Sequence, residues 1–107
     1  MLTLRVDMVY NKRMSKHDKN LRYRFSKDIS WQQYFGEVYI IKETKGLIYT
    51  LKDEMVVFWN SMQAVENFVD LVNLVMKQLD DYDKKSIDES LCEFLDQLQN
   101  FGIIEVE

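Results

Sequence analysis

Residues 37–51, EVYIIKETKGLIYTL, decide the fold. Two runs rich in β-branched and aromatic residues, 37–42 and 47–51, flank the polar connection Glu43, Thr44, Lys45 and Gly46. That arrangement specifies a β-hairpin, with Gly46 at the position that needs a positive φ. With no proline in the chain, Gly36, Gly46 and Gly102 carry most of the punctuation.

Upstream of the hairpin, Leu21, Tyr23 and Phe25 alternate with Arg22 and Arg24, and residues 29–34 are rich in aromatics. Both stretches favour strand. Leu2, Leu4, Val6, Met8 and Tyr10 alternate against Thr3, Arg5 and Asp7, although Val9 breaks the pattern; the reading is a half-buried strand or an arm. Residues 11–20 are polar and aperiodic, a loop in which the lone His17 is solvated.

Downstream the period becomes helical. Met55, Phe58, Trp59 and Met62 recur at i, i+3, i+4 and i+7, with Asp53 and Glu54 where a helix dipole favours acid. A second helix is expected over residues 64–79, with an apolar face broad enough to pack on two sides. Residues 80–85 form a charged connection that lacks the glycine and distal glutamate of a calcium loop. The third helix, residues 86–101, opens on Ser86 and Glu89 at capping-box spacing. Ile87, Leu91, Phe94, Leu95, Leu98 and Phe101 line one face against Asp88, Glu89, Glu93 and Asp96 on the other. Gly102 supplies a left-handed end, with Ile103 placed to cover Leu98. Strands followed by three helices make an α+β domain with a small antiparallel sheet.

The chain's 107 residues, 47% of them apolar, hold one modest core and therefore one domain. No apolar run is long enough to span a membrane and the first five residues lack a secretory pattern, so a cytoplasmic protein with no membrane partner is expected. Cys92 stands alone, which excludes an internal disulfide or a cysteine-built metal site and reads as apolar filler. Residues 1–30 carry eight basic side chains against three acidic ones, so a basic arm precedes a body of charge −9.

Catalysis needs a nucleophile beside a base, a carboxylate pair or a metal cage, and none is spelled out; the expectation is a non-enzyme with no cofactor and no metal. Trp31, Tyr34, Phe35, Tyr39, Tyr49, Phe58 and Trp59 offer stacking platforms for bases, but their spacing assigns them to packing. A helical trio also invites comparison with DNA readers, yet the last helix turns an acidic face outward, which disfavours nucleic acid.

Tyr39-Ile40-Ile41, Gly46-Leu47-Ile48-Tyr49-Thr50-Leu51, Phe58-Trp59, and Phe94-Leu95 with Leu98 and Gly102-Ile103-Ile104 together resemble the PqqD-like proteins, the RiPP recognition elements of ribosomal peptide natural-product pathways. The resemblance covers residues 31–105, about 70% of the chain, and rests on apolar positions. Lys52 departs from it where a capping residue is usual, leaving that role to Asp53. The resemblance implies a winged helix-turn-helix with a three-stranded antiparallel sheet followed by three helices, over residues 21–107, with residues 1–20 as the basic arm. It further implies a peptide chaperone that binds a precursor's leader peptide by β-augmentation and presents it to a modifying enzyme, a radical SAM enzyme or a cyclase/peptidase.

Carried onto this sequence, the leader pairs with the edge formed by Leu47, Ile48, Tyr49, Thr50 and Leu51. The groove wall comes from Leu91, Phe94, Leu95, Leu98 and Phe101. These residues equally suit a plain core stripe. An edge unguarded by proline or charge at Ile48 and Thr50 must bind a strand or risk aggregation. The alternatives are a winged-helix DNA-binding regulator, which needs the basic arm on duplex DNA, and a homodimer formed through the same edge.

Overall fold

The computed structural model describes Leu2, Thr3 and residues 21–106. The loop over residues 11–20, His17 and the strand pattern of residues 4–10 lie outside the described residues.

The hairpin forms where the sequence places it. β3 (Ile29–Tyr34), β4 (Glu37–Lys42) and β5 (Leu47–Leu51) make a three-stranded antiparallel sheet. Gly46 turns the β4–β5 connection at φ +63°. β1 (Leu2–Thr3) adds to the far side of β5 as a parallel strand, giving the order β1-β5-β4-β3. Three helices follow: α1 (Glu54–Met62), α2 (Phe68–Gln78) and α3 (Lys84–Asn100). The architecture is α+β, a three-stranded antiparallel sheet followed by three helices, as in a winged helix-turn-helix.

β2 (Tyr23–Phe25) does not join that sheet. It pairs with β6 (Ile104–Val106) in a separate antiparallel ribbon, Tyr23 opposite Val106 and Phe25 opposite Ile104. Arg24 Nε donates to Glu105 Oε2 at 2.9 Å across it. Buried Tyr23 reaches further, its hydroxyl donating between the carbonyls of Met62 (3.2 Å) and Val65 (3.1 Å), which ties the ribbon to the α1–α2 connection. Burial, and next the charges of Asp70 and Glu66, push its phenol well above the ordinary tyrosine range.

The helix stripes bury as their periods predict: Met55, Phe58, Trp59 and Met62 from α1, Leu71, Val72 and Val75 from α2, and Ile87, Leu91, Phe94, Leu95 and Leu98 from α3. Trp59 is sandwiched edge-on between Phe25 (centroids 5.1 Å apart) and Trp31 (5.7 Å).

The helix starts differ from the sequence reading in three places. α2 begins at Phe68 rather than near residue 64, because Asn67 takes the N-cap and its side chain accepts from the Asp70 amide. α3 begins at Lys84, not Ser86: Asp83 Oδ1 accepts from the Ser86 amide at 2.7 Å, so Ser86 supplies a donor to the cap instead of being the cap. Asp53 precedes α1 at φ 56° and its side chain makes no capping bond. The end of α3 matches expectation. The amides of Gly102 and Ile103 donate to the carbonyls of Gln99 (3.0 Å) and Leu98 (2.8 Å), a Schellman pair with Gly102 at φ +73°.

Candidate functional site

Strand alternation sorts β4 and β5 into two faces. Val38, Ile40, Tyr49 and Leu51 point inward and are fully buried against the helices, while Tyr39, Ile41 and Ile48 lie half-buried on the opposite face. Register places Ile40 opposite Tyr49 and Ile41 opposite Ile48. Thr50 shares the outer face yet is buried, and its hydroxyl has no hydrogen-bond partner among the described residues.

β5 meets the end of α3 through aromatic contact, the rings of Tyr49 and Phe101 lying 4.8 Å apart at a tilt of 32°. Of the ten residues anticipated at the site, Tyr49, Thr50, Leu51, Leu91, Phe94, Leu95 and Leu98 are buried. Phe94 packs edge-on against Phe58 at 5.5 Å, deep between α1 and α3. Leu47, Ile48 and Phe101 retain accessible surface. The arrangement is a strand edge beside a helix end, with Phe101 half-buried at their junction.

That edge is not bare. Leu2 lies opposite Tyr49 and Thr3 opposite Thr50, so a segment of the chain's own occupies the side of β5 expected to be open. The physical reason is the one that makes any edge a liability: unpaired N–H and C=O groups recruit an available strand, and the alternating start of the chain supplies one. The alternation was legible; its destination was not.

A polar cluster braces the site from behind. Lys42, at an inward position of β4, has its Nζ donating to Asp28 Oδ1 at 2.6 Å and to the Gly102 carbonyl at 2.7 Å. Thr44 Oγ1 donates to Asp28 Oδ2 at 2.5 Å, and the Ser26 hydroxyl donates to Asp28 Oδ1. Hydrogen bonds from Lys42 above all, then from Ser26 and Thr44, hold the Asp28 carboxyl well below the usual carboxylate range. Sequence reading missed this cluster; its one signal was a lysine in phase with Val38 and Ile40 on the apolar side of a strand.

The aromatics divide. Tyr49, Phe58 and Trp59 are core, as their spacing indicated, but Tyr34 and Phe35 at the β3–β4 turn are 59% and 89% exposed. Phe35 and Gly36 both take positive φ, 52° and 76°, the signature of a tight primed hairpin turn. No group of His, Cys, Asp and Glu able to hold a metal occurs among the described residues, and no described helix is long and apolar enough to cross a membrane.

Compared with known proteins, the fold has a clear counterpart. It matches TbiB1, solved in complex with the TbiA(beta) leader peptide, with a TM-score of 0.71. The match covers 77% of this chain and 94% of that one. Sequence identity over it is 17%, so the likeness is one of fold. No family model matches the sequence, and no curated protein does.

Proposed function

We propose that this chain is a leader-peptide-binding protein that takes up the leader of a ribosomally synthesised precursor peptide and presents it to a separate modifying enzyme. The observation that carries the reading is the fold shared, over nearly the whole of its counterpart, with a protein solved holding a leader peptide. Residues 21–107 act as the recognition domain and residues 1–20 as a basic arm. The leader adds as a strand along Leu47–Leu51, where backbone hydrogen bonds supply affinity, and sets an apolar side chain against Phe101 and its neighbours on α3. The acidic side chains of α3, Asp88, Glu89, Glu93 and Asp96, favour a leader carrying Lys or Arg. They also oppose phosphate, which sets this reading above a DNA regulator. No reaction is assigned to the chain itself; the chemistry belongs to the enzyme partner.

Titrating the leader encoded beside this chain's gene into isotope-labelled protein tests the proposal. Resonances of residues 47–51 and of the C-terminal half of α3 shift if it holds. Absence of shifts at both places sinks it.

A further inference from the structure

Resting on that reading, we infer that Leu2–Thr3 is an intramolecular competitor for the leader, which must exchange with β1 to reach β5. Three observations converge. β1 pairs with the centre of β5, opposite Tyr49 and Thr50, the residues whose backbone an added strand would engage. Among the described residues the pairing involves two, against five or six in the other strands of this sheet, so the described seam is the shortest of that sheet. The chain's start alternates apolar and polar residues through Leu2, Thr3, Leu4, Arg5 and Val6, the pattern an added strand needs to place alternate side chains on an apolar surface.

Two strands cannot share one set of edge hydrogen-bonding groups, so occupancy by β1 and by a leader are mutually exclusive. A site available for only part of the time binds with an apparent dissociation constant raised by the reciprocal of that fraction. The covered edge also answers a hazard: an exposed β5 is open to pairing with other chains, and a strand of the chain's own guards it until a better partner displaces it. Self-occupancy therefore protects the protein before it meets its peptide, and it rejects extended peptides that pair too weakly to exchange.

The test uses the full chain and a double variant, Leu2→Pro with Thr3→Pro, which removes both backbone donors of β1 and changes none of the buried residues of the described core. In the absence of peptide, amide hydrogen exchange of residues 48–51 is faster in the variant if β1 covers the edge; equal exchange overturns the inference without recourse to any leader. With the leader encoded beside the gene as probe, the variant binds about tenfold more tightly than the full chain if the edge is free about one-tenth of the time. Equal or weaker binding by the variant overturns self-competition while leaving leader recognition intact. Binding that shifts residues 29–34 instead of 47–51 places the leader on β3 and also overturns it. If neither protein binds the leader, leader recognition and self-competition fall together.

Discussion

Lys42 Nζ donates to the carbonyl of Gly102 at 2.7 Å, joining the end of β4 to the glycine just past α3. The same ammonium holds Asp28 at 2.6 Å, so one side chain fixes the hairpin, the turn before β3 and the helix end together. That brace sets how closely β5 and Phe101 approach, and hence the shape of the proposed site.

Gly102 is constrained twice, by φ +73° and by Lys42, whose Cε and Nζ lie 3.3 and 3.2 Å from where a Cβ would stand. Gly102→Ala therefore costs about 1–2 kcal/mol for the left-handed backbone alone, with crowding of Lys42 added. Urea unfolding checks this; a midpoint equal to that of the parent protein contradicts it.

Asp28 gives the fold an acid limb. Its folded pKa is depressed below the 3.8 of a free aspartate, chiefly by Lys42, so its stabilising contribution is complete above about pH 4 and is lost as pH falls below that toward the lowered value. Asp28→Asn lowers stability at neutral pH and flattens its fall between pH 4 and pH 2. Urea midpoints measured across that range decide the matter, and parallel curves for the two proteins refute the assignment.

Phe94 and Phe101 share a helix face but differ in role. Phe94 is wholly buried against Phe58, so Phe94→Ala destabilises by about 3–5 kcal/mol. Phe101 is half-buried against Tyr49, and Phe101→Ala costs about 1 kcal/mol of stability. The same change weakens leader binding by about tenfold, or about 1.4 kcal/mol. Calorimetry of the folded Phe101→Ala protein with the leader checks the binding arm, and an unaltered affinity removes Phe101 from the site.

Phe35 sits at φ 52° with 89% of its surface exposed, at a turn position that ordinarily takes Asn or Gly. Phe35→Asn relieves backbone strain at the cost of the edge-on contact with the Tyr34 ring, 4.2 Å away, and on balance stabilises the hairpin by about 0.5 kcal/mol. A thermal melt that moves down instead of up shows that the ring is held by contacts.

The hairpin, the three amphipathic helices, the Schellman end at Gly102 and the inward stripe of α3 were legible because each is written in a local period or a neighbouring cap. Ser86 misled because serine and aspartate are both good caps, and the choice of Asp83 depended on where the chain arrives from the α2–α3 connection. The burial of Leu91, Leu95 and Leu98 followed from spacing; whether Phe101 would be core or rim did not, since that depends on how it meets Tyr49 and the edge of the core.

By itself, then, the sequence determined the order and type of the elements and which face of each is apolar, because periodicity and capping act over a few residues. Tertiary structure alone decided that Tyr23–Phe25 pairs with Ile104–Val106, that Lys42 reaches Gly102 across 60 residues of chain, and that Leu2–Thr3 lies on β5. Those pairings join segments far apart in the chain, and they depend on which backbone groups are left unpaired once the helices have packed, a balance that no local pattern encodes.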